Sequence, residues 1–75
     1  MGFSPNRVFL MTLYNQYNQS CVYIVETGPY SSKCTVTQIR GGTAYFTVTP
    51  LTSTNLSIKC NGANCYPTYM CIGGA

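Results

Sequence analysis

The chain has very little charge and no histidine. Its 75 residues include one acidic residue, Glu26, and four basic residues. A single carboxylate cannot form the acid pair of a glycosidase, and without histidine there is no Cys–His or Ser–His nucleophile. The chain also contains no Walker loop and no Cys-x-x-Cys redox motif. We therefore expect a protein that is not an enzyme and that uses no cofactor.

The basic residues are scattered. Arg7, Lys33, Arg40 and Lys59 are far apart in the sequence and give a net charge of +3. Nucleic-acid binding requires a clustered positive surface, so we expect no nucleic-acid partner. No stretch approaches the ~18 apolar residues of a membrane span. Residues 7–14 have the basic start and short apolar core of a degenerate signal peptide, but no small-residue cleavage site follows. We interpret them as a first strand.

Five cysteines in so short a chain indicate covalent stabilisation, because a core of this size supplies only about 3–5 kcal/mol. An odd number suggests that one cysteine bonds to another molecule. Spacing does not choose among the fifteen intrachain patterns with two disulfides, and buried reduced thiols are an alternative. Four and five residues separate the last three cysteines, and zinc usually requires shorter knuckles and four ligands, so we expect no metal. The disulfide candidates are Cys21, Cys34, Cys60, Cys65 and Cys71.

Cys21 is the candidate for a disulfide between chains. Neighbouring residues of a strand point to opposite faces of the sheet. If Val22 and Ile24 face the core, Cys21 faces outward, at the start of a strand that follows a polar segment. The opposite register, with Cys21, Tyr23 and Val25 inside, is also open.

Alternation with a period of two dominates the chain, and no segment has the spacing of an amphipathic helix. Turn signals separate the alternating runs, notably Gly28-Pro29, Gly41-Gly42 and Asn61-Gly62. In the fifth run Leu56, Ile58 and Cys60 share an apolar face. Short strands with turns about every ten residues predict an all-β fold, a small disulfide-stabilised β-sandwich without substantial helix. The predicted strands are 8–14, 21–26, 33–39, 43–49, 55–60 and 68–72.

The predicted organisation is simple. Residues 1–7 contain glycine, serine, proline and asparagine and predict a flexible N-terminal arm. Residues 8–75 form a single β domain, since a chain of this length supports one core at most. Its last residues, 73–75, predict a flexible end.

Part of the chain resembles a known family. The segments 41–50 (GGTAYFTVTP), 51–53 (LTS), 56–60 (LSIKC) and 65–72 (CYPTYMCI) resemble the C-terminal half of Ena-type endospore appendage fibre subunits of spore-forming bacteria. The resemblance implies a jelly-roll-like β-sandwich whose copies assemble by strand augmentation into cysteine-cross-linked fibres, made without a secretion signal. The family carries cysteines in an N-terminal connector, whereas residues 1–20 here contain none.

The leading hypothesis is a structural subunit that self-assembles into a fibre or surface layer. Neighbouring copies would pair strand edges, and disulfides would lock them together, because uncharged edges template association. Residues 1–14 could add a strand to a neighbour's sheet. The protein would then be extracellular, or lie on the surface of a cell or spore. The candidate assembly strand contains Val8, Phe9, Leu10, Met11 and Leu13.

The alternative is a small secreted binding module that acts as a monomer. It would bind carbohydrate or act as an effector or toxin. Its disulfides would be internal, and its ligand face would use tyrosine, asparagine, glutamine and threonine. Seven tyrosines supply the aromatic surface on which a sugar could stack, although tyrosines spread along a chain more often pack at core edges and interfaces.

Overall fold

The computed structural model describes residues 1–28, 33–41, 45–61 and 64–74. Within these ranges the chain forms six strands and no helix, which confirms the predicted all-β class. The strands are β1 (Arg7–Tyr14), β2 (Ser20–Glu26), β3 (Thr35–Gly41), β4 (Phe46–Pro50), β5 (Leu56–Cys60) and β6 (Tyr66–Gly74).

The strands form two antiparallel sheets of unequal size. The first has the order β3-β2-β1-β6, and the second contains β4 and β5. β1 is therefore an inner strand, with β2 on one side and β6 on the other. The inner faces of the two sheets meet in one core, to which β4 contributes Phe46 and β5 contributes Leu56.

Alternation in β1 and β2 builds most of this core. Every second residue of these strands is buried. Paired residues of antiparallel strands lie on the same face, and Met11 pairs with Tyr23 as Leu13 pairs with Cys21. The resulting rows of side chains pack beneath the second sheet. The buried hydrophobic residues are Phe9, Met11, Leu13, Cys21, Tyr23, Val25, Cys34, Phe46 and Leu56.

The turn between β1 and β2 is closed by Asn15. Its side-chain oxygen accepts hydrogen bonds from the backbone N–H groups of Tyr17 (2.9 Å) and Gln19 (3.1 Å). Asn18 has a φ of 59°, a left-handed conformation that asparagine tolerates well. The polar run that follows β1 thus forms a hairpin turn and fixes the register of the two central strands.

The strand predictions hold with small shifts in their bounds. β3 begins two residues later than predicted, and β6 extends from residue 66 to 74. Leu56, Ile58 and Cys60 share the less exposed face of β5, as the alternation predicts. The predicted fourth strand, 43–49, and the turns at 28–29, 41–42 and 61–62 lie partly outside the described residues.

The two segments predicted to be flexible, at the start and at the end of the chain, are instead held by backbone hydrogen bonds. The N–H of Phe3 donates to the carbonyl of Thr54 (2.8 Å), and Met1 exchanges two backbone hydrogen bonds with Leu56, each of 2.9 Å. Residues 1–3 therefore extend the second sheet beside the start of β5. The Thr27 hydroxyl holds the segment between residue 3 and β1 by donating a hydrogen bond to the carbonyl of Ser4 (2.7 Å).

At the other end of the chain, the last described residues belong to a strand. Gly73 pairs with Val8, and Gly74 pairs with Arg7. The predicted flexible end at these two residues is therefore wrong.

The end of β3 requires glycine. Gly41 has a φ of 111°, and a Cβ there would overlap the backbone of Ser20 and Cys21. We expect Gly41→Ala to lower the free energy of unfolding by about 1–3 kcal/mol. Gly28→Ala is the matched control, because no atom beyond the adjacent residues lies within 4 Å of the added carbon. Urea denaturation checks both variants, and equal midpoints would contradict the prediction.

Candidate interaction surfaces

β6 is an edge strand that is exposed along its whole length. All nine of its residues are exposed, including Tyr66, Tyr69, Met70 and Ile72. It pairs with β1, and no other strand of the described chain lies beside it. An edge of this kind presents unpaired backbone N–H and C=O groups to any strand that approaches.

β6 has little of the protection that edge strands usually carry. Natural edges are blocked by charged side chains, by proline or by a covering segment. The sequence of β6, YPTYMCIGG, contains no charged residue, and its one proline, Pro67, is the second residue. A bulge at Ile72, where the register with Val8 and Phe9 shifts, interrupts regular pairing near the end of the strand. The stretch from Thr68 to Cys71 is therefore an open pairing edge.

The opposite edge of the same sheet is β3. It pairs with β2, and no strand in the described ranges pairs with its other side. Its residues alternate between exposed and half-exposed up to Ile39, where the exposed end begins. Unlike β6, this edge carries positive charge, because Arg40 lies in the strand and Lys33 precedes it.

A cleft of about 390 Å³ lies between the N-terminal segment and the inner face of β6. Its base is an aromatic cluster in which the Phe3 ring is 4.8 Å from Phe9 and 4.9 Å from Tyr69, measured between centroids. Tyr69 itself is 49% exposed. The second sheet therefore leaves the inner face of β6 uncovered.

A second cleft, also of about 390 Å³, lies between β3 and β4. It is lined by residues of both sheets, among them Tyr23, Val36, Gln38 and Val48. Burial raises the pKa of Tyr23 to about 12, and a hydrogen bond and charge interaction with Cys21 add to the shift. The Tyr23 side chain therefore lines this cleft as a neutral phenol.

The five cysteines have three different environments. Cys60 and Cys65 form a disulfide with a Cα–Cα distance of 5.6 Å, which ties the end of β5 to the start of β6. Cys34 is a buried free thiol whose Sγ donates to the carbonyl of Asn55 at 3.6 Å, and burial raises its pKa. Cys71, on β6, is a free thiol exposed to solvent.

Cys21 does not fit its predicted role. Its side chain is fully buried, because β2 adopts the register in which Cys21, Tyr23 and Val25 face the core. An outward thiol for a bond between chains is therefore not found at Cys21. The exposed thiol is instead Cys71, for which the sequence predicts only a disulfide.

The predicted assembly strand also needs correction. Val8, Phe9, Leu10, Met11 and Leu13 all lie in β1, which is already hydrogen-bonded on both sides within the chain. Donating this strand to a neighbour would remove Met11 and Leu13 from the core. The strand available for pairing is β6, and its sequence signal is a nine-residue run without charge.

The described residues form no helix long and apolar enough to cross a membrane. Within the same ranges, no three or more His, Cys, Asp or Glu side chains form a group able to hold a metal ion. Comparison of the chain with protein-family models, with curated proteins and with solved structures found no match.

Thiol labelling tests the cysteine environments. We expect iodoacetamide to alkylate Cys71 of the native protein at least about tenfold faster than Cys34, because the thiolate of an exposed cysteine is the reactive form and burial suppresses it. Peptide mass spectrometry measures both rates. Unfolding without reductant should make the two alkylation rates equal. Cys60 and Cys65 should stay unmodified because they are joined by a disulfide. Equal rates in the native protein would contradict the buried position of Cys34.

The raised pKa of Tyr23 implies that the free energy of unfolding falls at high pH. Its folded-state pKa of about 12 is above the ordinary value of 10.0, so folding favours the neutral phenol. This contribution, of up to about 3 kcal/mol, is complete below pH 10 and is lost as the pH rises towards 12. Denaturation at a series of pH values should show a shallower loss for Tyr23→Phe. Parallel pH profiles would contradict the assignment.

Proposed function

We propose that this chain is a non-enzymatic structural subunit that self-assembles into a fibre or surface layer. Neighbouring copies pair the β6 edge of one copy with the β3 edge of the next. The observation that carries the proposal is β6 itself, a nine-residue edge strand that is exposed and uncharged. Long uncharged edges pair readily with other chains, and this edge would be a liability for a protein that stays monomeric.

The topology supports continuous pairing. The four strands of the first sheet alternate in direction, so the edge strands β3 and β6 run antiparallel to each other. A copy placed beside the first in the same orientation therefore brings its β6 antiparallel to β3. The same face of the sheet points inward in both copies, and every added copy repeats the contact.

Charge favours this head-to-tail arrangement over the pairing of two β3 edges. Two β3 strands would bring together the positive charges of Arg40 and Lys33 from both copies, which is destabilising. β6 adds no charge to a joint with β3. A contact between two different edges leaves one edge of each kind free at the ends of the assembly. It therefore generates an open filament, unless the rotation between copies closes a ring.

Cys71 supplies a covalent cross-link between filaments. Copies paired edge to edge hold their Cys71 residues four strand spacings apart, about 19 Å, which is too far for a disulfide. Two Cys71 thiols from copies in adjacent filaments each lose a proton and an electron to an oxidant such as molecular oxygen, and one S–S bond forms. The other four cysteines are either buried or already bonded to each other, so each copy offers one exposed thiol. Oxidation of the folded protein should therefore stop at a covalent dimer within a larger non-covalent assembly.

The proposed location is outside the cell, or on the surface of a cell or spore. The Cys60–Cys65 disulfide is typical of proteins in oxidising environments. The resemblance to appendage fibre subunits agrees with this location, and a fibre there would gain resistance from its cross-links.

A monomeric carbohydrate-binding module remains the second candidate, and one observation favours it. Tyr14 and Tyr66 are cross-strand partners on one face of the sheet, and Tyr17 is exposed at 63% in the adjacent turn. Exposed aromatic rings offer the flat apolar surface on which a sugar can stack. Binding of a glycan array by a protein that sediments as a monomer would support this candidate over the fibre.

Two substitutions at one position test the assembly. Cys71→Ser removes the thiol alone, so we expect filaments in negative-stain micrographs but no dimer on a non-reducing gel. Cys71→Lys places a charge on the pairing edge, a device that blocks edges in natural sheets. It should raise the concentration needed for filaments at least about tenfold. Wild-type protein that stays monomeric, or Cys71→Lys filaments at the wild-type concentration, would contradict the proposal.

A further inference from the structure

The two sheets differ sharply in their outer faces. On the second sheet the outward residues are Thr47, Thr49, Ser57 and Lys59, all polar and exposed. This is the ordinary pattern of an antiparallel sheet with one face in water. The outer face of the first sheet is mostly apolar. Its outward residues on β1, β2 and β6 include Val8, Leu10, Thr12, Val22, Ile24, Thr68 and Met70.

The register aligns these residues in rows. Leu10 lies between Ile24 on β2 and Met70 on β6, and Met70 is 59% exposed. None of the three belongs to the core or to the hydrophobic residues that pack against it. A shallow depression of about 190 Å³ between β1 and β6 gives this face relief into which a side chain can insert.

β1 and β2 thus have the composition of strands that are covered on both faces. Near-continuous apolar runs are typical of doubly covered strands, whereas half-covered strands alternate with polar residues. In β1 the run from Val8 to Leu13 contains one polar residue, Thr12. Large contiguous apolar patches are rare on monomers and mark interaction sites.

We infer that this outer face stacks against the same face of a second copy. The inference rests on the proposed function in one respect, since the contact becomes strong only when a fibre joins many copies. The charges support an antiparallel overlay. The single acidic residue, Glu26, lies at the end of the face beside Val8 and Thr35, and Arg40 lies opposite Val22 toward the other end. When the strands of the second copy run antiparallel to those of the first, Glu26 of one copy lies over the end of the face that carries Arg40 in the other.

The size of the face explains why stacking would accompany a fibre. Four strands of about seven residues cover about 450 Å², so two stacked faces bury about 900 Å². Stable interfaces usually bury at least about 1,200 Å², so one pair of copies should associate weakly. Edge pairing would join many such faces into one continuous sheet, and their contributions would combine as in other multivalent contacts.

A matched pair of lysine substitutions tests the inference. Ile24→Lys adds a charge to the apolar outer face, and Thr47→Lys adds the same charge to the polar outer face of the second sheet. In cryo-electron micrographs we expect wild-type and Thr47→Lys ribbons with two layers of sheet pairs and Ile24→Lys ribbons with one. Ile24→Thr keeps the β-branched shape of the side chain and covers the case in which the lysine variant does not fold; it too should lose the second layer.

Sedimentation separates this inference from the proposed function. With the pairing edge blocked by Cys71→Lys, we expect a weak dimer whose Kd rises at least about tenfold when Ile24→Lys is added and stays unchanged with Thr47→Lys. Dimers without filaments in the wild type would overturn the fibre proposal alone. Single-layer wild-type ribbons together with a monomeric Cys71→Lys protein would overturn the stacking inference. Capture of that monomer by phosphatidylcholine vesicles would also overturn it and identify a lipid occupant.

Discussion

The pairing of β1 with strands on both of its sides is the interaction on which the rest of the structure depends. β1 joins the hairpin partner β2, which is close in sequence, to β6 at the far end of the chain. Its inner side chains form the centre of the core, since Met11 and Leu13 are fully buried. With β1 fixed in the middle, β3 and β6 become the edges of the sheet, and the surfaces open to other molecules follow.

The unequal size of the two sheets has a second consequence. A sheet of two strands, extended by residues 1–3, covers part of a sheet of four. The inner face of β6 and the cleft beside β3 stay open. A chain of 75 residues cannot cover every apolar surface that it forms. One disulfide compensates locally by tying β5 to β6, and association between copies would cover the remainder.

The sequence predicted the strands better than their faces. Alternation identified β4 and β5 correctly because threonine or serine residues alternate there with apolar residues such as Phe46 and Leu56. In β2 the residues on both faces are apolar, so alternation alone could not choose the register that buries Cys21. The docking of Met1 on Leu56 and of Gly74 on Arg7 joins residues far apart in the sequence, and no local pattern reports such pairing.

The positions of the surfaces proposed for assembly also depend on pairing between distant segments. The uncharged run of β6 was visible in the sequence, but its position at an edge depends on the strand order. Hydrogen–deuterium exchange at increasing protein concentration is the most direct test of assembly through the strand edges. We expect amides in β3 and β6 to become more protected as copies assemble, whereas amides of β4 and β5 should keep the same exchange rates. Exchange in β3 and β6 that does not change with concentration would contradict assembly through these edges.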